Sequence, residues 1–169
     1  MSLTPNAPGA SVEYRVNVAE SALARETGIL ATHGLGSCIA LVLYDPASRC
    51  GALAHILLPT EERPGPVVRP ARSAAHAVPH LLAQLRHAGA LGRPVAKIAG
   101  GASMFGSLLA TGGVNIGERN IDATRRALAD AGIALVAEDV GGDHGRSVFF
   151  DVADGGMHVR SLKRGDRLL

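Results

Sequence analysis

The residue types best suited to covalent chemistry cluster in Thr32-His33-Gly34-Leu35-Gly36-Ser37-Cys38. A polar, glycine-rich turn delivers a cysteine to the mouth of an apolar run, Ser37–Tyr44 (SCIALVLY). The next apolar run, Gly51–Leu58 (GALAHILL), carries His55. If the two runs pair as a hairpin, Cys38 and His55 reach one end or one face of the same sheet. A thiol with a pKa near ~8.5 is mostly protonated at neutral pH, so a nucleophilic cysteine needs a base or a cation within hydrogen-bond reach. Histidine is the usual supplier. Gly34, Gly36 and Ser37 leave backbone N–H groups unobstructed ahead of the cysteine, as an oxyanion site requires. Cys38 would begin a strand, so no helix dipole would support its thiolate and His55 must carry more of the activation. Thr32 is the candidate to orient the imidazole through its hydroxyl. A neutral orienter fixes the ring but stabilises an imidazolium less than a carboxylate would. The plainer reading of the same residues is a buried Cys38 acting as a small hydrophobe and a satisfied core His55.

Other residues offer less. Gly100-Gly101-Ala102 follows a strand but lacks the Lys-Ser/Thr of a P-loop and the G-x-G-x-x-G spacing, so close packing of a strand end is expected there. Gly141-Gly142-Asp143-His144-Gly145-Arg146 reads first as a hairpin turn, with Arg146 anchoring a loop or touching an acidic partner. His76, His80 and His87 can share a helix face, but no thiol or carboxylate stands beside them at metal-ligand spacing. They read as a solvated face. Arg125-Arg126 and Lys163–Arg167 read as exposed charge, and Cys50 as a bystander in a hairpin turn. No cofactor and no metal are expected.

The elements that must position these residues are legible in outline. Glu13–Val18, residues 28–34, Ser37–Tyr44, Gly51–Leu58, Pro94–Ala99, Ile133–Val140, Arg146–Val152 and Met157–Leu162 read as strands. Asp45-Pro46 stops the third of these, and the short link to Cys50 suits an antiparallel connection. Ser73–Ala88 has helical spacing of Ala77, Leu81, Leu82 and Leu85, with Pro79 in its first turn or at its start. Ile116–Ala131 is the clearest helix, with Asn120 or Asp122 near its start and Gly132 at its end. Ala102–Leu109 is a possible short helix. Residues 59–72 hold repeated prolines and charges and read as a loop, one that would border a substrate groove. Strands run together before and after the helices, not in alternation with them. That pattern predicts a layered α+β fold with mixed or antiparallel sheets, not a doubly wound nucleotide fold. Residues 1–11 read as a flexible tail, 12–162 as one domain and 163–169 as a C-terminal tail.

Composition narrows the function classes. The chain has 169 residues, 47% hydrophobic but only 3% aromatic, so the core must be built from Ala, Val, Leu and Ile. Seventeen Lys and Arg against fifteen Asp and Glu exclude a strongly basic nucleic-acid binder. No apolar run is long enough to cross a bilayer, and MSLTPNAPGA has no basic region followed by an apolar run. A cytoplasmic protein with reduced thiols is therefore expected.

THGLGSCIALVLYDP, GALAHILLP, AKIAGGASMF, NIGERN and GGDHGR, in this order, resemble the chemoreceptor glutamine deamidase family (CheD) over about residues 27–161. Five separated motifs in register are far more specific than any one. The resemblance implies a catalytic triad of Cys38, His55 and Thr32. It implies hydrolysis of chemoreceptor glutamine side chains to glutamate with release of ammonia, through a cysteine thioester. It further implies a mixed β-sandwich with flanking helices, a cysteine-hydrolase fold like that of deamidating bacterial toxins. The implied partners are the helices of the receptor cytoplasmic region as substrate and a CheC-type phosphatase as regulator. The alternatives are a non-catalytic module of the same fold that binds receptors or CheC, and a Cys/His metal protein. Family members often carry a Tyr and an Asp ahead of VPHLL, where this chain has Ser73 and Ala75. That departure bears on partner contacts from this helix and leaves the triad untouched.

Overall fold

The computed structural model describes residues 3–4, 11–60, 69–104 and 115–169. The N-terminal tail is thus described only at residues 3–4 and 11. Residues 61–68 of the expected loop and 105–109 of the possible short helix lie outside the described residues.

The described strands are β1 (Leu3–Thr4), β2 (Glu13–Arg15), β3 (Ser21–Arg25), β4 (Ile29–Leu35), β5 (Ile39–Asp45), β6 (Cys50–Ile56), β7 (Val95–Gly100), β8 (Ala134–Val140), β9 (Arg146–Asp151), β10 (Met157–Arg160) and β11 (Arg167–Leu168). The helices are α1 (Ala74–His87) and α2 (Ile116–Asp130), and Pro70–Arg72 forms a short 3-10 turn ahead of α1. One sheet has the order β1-β2-β4-β9-β10-β11 and the other β3-β6-β5-β7-β8. Each is mixed: β2 runs parallel to β4, and β7 parallel to β8.

The burial of each strand tells which layer it occupies. Every residue of β5 and β6 is buried, as in a central sheet covered on both faces. Ile39, Leu41 and Leu43 pack with Leu81 and Leu85 of α1 and Leu128 of α2. Ala40 and Val42, one register step away, pack with Leu30 of β4 and Val148 and Phe150 of β9. β9 alternates buried and half-buried residues, the signature of a sheet with one face open. The layers are therefore helices, central sheet and outer sheet, and a second apolar interior lies between the two sheets. The expected layered α+β sandwich with flanking helices is the architecture found.

Several local expectations need correction. β3 (SALAR) escapes sequence reading because alanine is a poor strand former and its alternation is faint. Helix α2 starts at Ile116, and its N-cap is Asn115, whose side chain accepts the Glu118 N–H at 3.1 Å. Asn120 is no cap; it is fully buried inside the helix. Pro79 lies within α1, beyond its first turn. Cys50 opens β6 and is fully buried. The expected C-terminal tail includes β11, and Leu169 exchanges two hydrogen bonds with Met157.

Candidate active site

The β5–β6 hairpin forms with Ala40 opposite His55 and Val42 opposite Leu53. These positions face the interior between the sheets, and Cys38, two residues before Ala40, packs against that same interior. Cys38 and His55 therefore share one sheet face as diagonal neighbours, a pairing that sets Cβ atoms about 7–8 Å apart or closer. His55 is held on both sides of its own backbone. Its N–H donates to Glu20 O at 3.1 Å and its C=O accepts the Ala19 N–H at 2.9 Å.

Thr32 comes from the facing sheet. It is fully buried in β4, and its Oγ1 lies 2.7 Å from His55 Nδ1 and 2.7 Å from the Val16 carbonyl. A carbonyl only accepts, so the single hydroxyl proton goes to Val16 and the oxygen lone pair takes the Nδ1–H. That assigns the ring as the Nδ1–H tautomer and leaves Nε2 as an unprotonated acceptor. Nε2 is buried and has no partner among the described residues. Burial lowers the His55 pKa from 6.5 to about 4, so the imidazole is neutral at physiological pH. Burial likewise pushes the half-buried Cys38 thiol up, partly countered by its own backbone N–H. At rest the two groups are a protonated thiol and a neutral imidazole on one sheet face, with no hydrogen bond between Cys38 Sγ and His55 Nε2.

The turn ahead of Cys38 is built to leave donors free. Gly36 O accepts the Ala102 N–H at 2.8 Å, Ser37 O accepts Asn120 Nδ2 at 2.8 Å, and Cys38 O accepts the Gly101 N–H at 2.8 Å. The N–H groups of Gly36 and Ser37 donate to no acceptor among the described residues, and that of Cys38 faces only its own sulfur. A regular antiparallel ladder would return a bond from Cys38 N–H to Gly101 O. Gly100 (φ 117) and Gly101 (φ 68) adopt the left-handed region and turn that carbonyl toward Gly117 of α2 instead. A Cβ on Gly100 would overlap the Cys38 carbonyl. Thus Gly100-Gly101 serves the close packing expected of it. Gly34 (φ 69) is exposed and lies within β4, at the register shift between Thr32 and Leu35, not in the turn itself.

Residues 57–161 match the family described as CheD chemotactic sensory transduction. The chain is 42% identical over 154 residues to the chemoreceptor glutamine deamidase CheD of Thermotoga maritima, covering 90% of this chain and 94% of that protein. It is 45% identical over 151 residues to a protein of Geobacter metallireducens named probable chemoreceptor glutamine deamidase CheD 2, covering 88% and 93%. A Thermococcus kodakarensis protein of the same probable function is 37% identical over 155 residues, 91% of this chain and 96% of its own. The chain belongs to the CheD family. The family match begins after Thr32, Cys38 and His55, but a contiguous match to nine-tenths of this chain spans all three.

The remaining candidates in this CheD chain take structural parts. Arg146 is buried and anchors its loop, with Nε and Nη2 each 2.9 Å from Asp139 Oδ1. Gly141 (φ 76) and Gly142 (φ 72) turn the chain between β8 and β9, but these strands belong to different sheets, so the turn links the two layers and closes no hairpin. His76 and His87 are exposed, but His80 Nε2 meets Ser21 Oγ of β3 at 3.0 Å. Arg125 pairs with Glu138 at 2.6 Å, and Lys163 pairs with Asp143. Ser73 is buried with Oγ 2.9 Å from His76 Nδ1, while Ala75 is exposed on the groove between α1 and α2. Sequence reasoning missed two site residues. Val16 acts through its carbonyl, which leaves no side-chain signal. Asn120 lies in the quoted NIGERN motif, where a polar residue on the apolar face of an amphipathic helix was the available signal.

Proposed function

We propose that this chain hydrolyses glutamine side chains of chemotaxis receptors to glutamate, with Cys38 as nucleophile, His55 as general base and acid, and Thr32 as the residue that orients it. The observation that carries the reading is the 2.7 Å contact between Thr32 and His55, which leaves a bare Nε2 on the sheet face of Cys38. The names of the relatives support the substrate class.

In this reading the Cys38 sulfur attacks the amide carbon while Nε2 takes the thiol proton. The resulting oxyanion meets the free N–H groups of Gly36, Ser37 and Cys38. The C–N bond then breaks, and the imidazolium gives its proton to the departing nitrogen, which leaves as ammonia. Water next attacks the thioester carbon as Nε2 takes one of its protons. The C–S bond breaks, the proton returns to sulfur, and glutamate leaves. The substrate is a long helical coiled coil, so recognition of a helix surface decides which glutamines are used. The enzyme works in the cytoplasm, and a CheC-type phosphatase binds the same surface.

Mass spectrometry of a receptor cytoplasmic fragment tests the proposal. Wild-type protein should add about 1 Da per site, the amide-to-acid change of this route, and Cys38→Ala should add nothing. No gain with folded wild-type protein and receptors from the same organism would leave a binding module of the same fold. A gain with both would remove Cys38 as the nucleophile.

A further inference from the structure

Helix α2 lies on the opposite side of the central sheet from Cys38 and His55. Its Ile121 and Leu128 join the helix-side core, whereas Cys38 packs against the inter-sheet core. From that far side one fully buried polar side chain reaches both strands that carry the candidate pair. Asn120 Nδ2 donates to Ser37 O at 2.8 Å and to Leu57 O at 3.1 Å. Ser37 is bonded to Cys38, and Leu57 directly follows β6. Both carbonyls lie just beyond the last ladder pair, Ile39 opposite Ile56, where strand ends otherwise splay.

The chemistry of this contact is specific to asparagine. An amide nitrogen has two protons, and both are engaged here. Its Oδ1 is buried and unpartnered among the described residues. A buried, unpaired oxygen is a standing penalty that an apolar side chain of similar size would avoid. Packing alone therefore does not account for Asn120. In a trans peptide the N–H points opposite to the C=O. With the Ser37 carbonyl held toward α2, the Cys38 N–H turns to the other side of the sheet, where the thiol stands.

We propose that Asn120 is a positioning residue that holds the Ser37 and Leu57 carbonyls and so sets the direction of the Cys38 N–H and the spacing of the strands bearing Cys38 and His55. The inference rests on the catalytic reading of those two residues, but it has a readout of its own. That readout is the rate at which iodoacetamide alkylates Cys38. Cys50 is fully buried, so label on it reports unfolding.

Asn120→Ala and Asn120→Asp would be compared with wild type for fold, for the pH dependence of Cys38 alkylation, and for kcat and KM on a receptor fragment. Asn120→Asp keeps the shape and removes the two donors. With Cys50 protected, both variants should alkylate Cys38 several-fold more slowly at neutral pH, with the midpoint moved upward. Displacing a reacting group by a fraction of an ångström to one ångström should lower kcat by about 10- to 100-fold, with KM unchanged. Folded variants with wild-type alkylation and wild-type kcat would overturn the proposal. Slowed alkylation in the variants beside an inactive wild type would uphold Asn120 and sink the deamidase reading instead. If neither variant folds, the wild type decides. Scalar couplings across hydrogen bonds from Asn120 Nδ2 to the Ser37 and Leu57 carbonyl carbons, with slow exchange of its amide protons, uphold the clamp. Their absence overturns it.

Discussion

Thr32 meets His55 Nδ1 at the position where hydrolases more often place a carboxylate, and its environment fixes what it offers the ring. The Val16 carbonyl consumes the hydroxyl proton, so Thr32 presents only a lone pair to His55. Val16 is itself held, its N–H donating to Ala31 O at 2.8 Å. Thr32→Val is nearly isosteric and removes the acceptor. It should lower kcat by about 100-fold, within the range of general-base contributions, with KM little changed, while Thr32→Ser keeps most activity. Steady-state kinetics on a receptor fragment would check both. The neutral buried imidazole also makes stability depend on pH. Because His55 falls from 6.5 to about 4 on folding, the unfolded chain takes up its proton first as the solution is acidified. The contribution of the neutral ring is complete above about pH 6.5 and is lost as pH falls through 4, a total of about 3 kcal/mol. Urea unfolding at pH 8 and pH 5 should show wild type losing about 2 kcal/mol more than His55→Gln, which has no proton to gain. Equal losses would mean that the ring is not neutral or not buried.

At the scale of elements, the site exists where β5, β7 and the start of α2 converge. β7 ends at Gly100 and is followed by Gly101, and the left-handed backbone of this pair redirects one carbonyl and releases the Cys38 N–H from the ladder. Gly101 and Gly117 then touch so closely that neither position has room for a side chain. Gly100→Ala should destabilise the fold by about 1–3 kcal/mol, from an unfavourable φ together with overlap on the Cys38 carbonyl. Where the variant stays folded, deamidation should fall further than the change in melting temperature explains, because the displaced atom belongs to Cys38. Unchanged kcat in a folded Gly100→Ala protein would argue against any catalytic part for this backbone. Shortening the proline-rich loop of residues 59–72 has the opposite expectation. Substrate affinity should change more than stability, as KM and thermal unfolding measured side by side would reveal.

At the scale of the whole molecule, His55 and Thr32 sit on different sheets, so the proposed base and orienter stay together only if the sandwich is rigid. Cross-sheet contacts supply this. Asp139 of β8, in the central sheet, binds Arg146 of β9 and Arg167 of β11 in the outer sheet. Lys97 of β7 donates to Gly155 O at 2.8 Å and Leu169 O at 2.7 Å, and Tyr44 of β5 donates to Val152 O at 3.0 Å. Breaking one partner of a buried pair strands the other charge. Arg146→Met should destabilise by about 3 kcal/mol, the low end for such losses because Arg167 remains. The double variant Arg146→Met, Asp139→Asn should recover part of that in denaturant titrations, since it removes the stranded carboxylate.

How much of this was written in the chain itself follows from which interactions are local. The glycine-rich turn before Cys38, the β5–β6 hairpin with its short link, and the apolar stripes of α1 and α2 depend on near neighbours, and each is readable from residue type and spacing. β5 was readable as a buried strand because its run is apolar without interruption. β3 was not, since alanines carry little pattern. Cys38 and His55 could be paired through their hairpin, but no local rule brings Thr32 to His55. That contact requires the outer sheet to stack on the central one, and the stacking depends on outer-sheet side chains such as Leu30 and Phe150 packing on Ala40 and Val42 across the gap. The same holds for Asn120, which looks like a helix-start residue in sequence and becomes a clamp only when α2 docks on the strand ends. Residue identity thus determined which chemistry was available. Tertiary packing decided the tautomer, the acidity of the imidazole and the free backbone donors, because each depends on partners distant in sequence and on the exclusion of water.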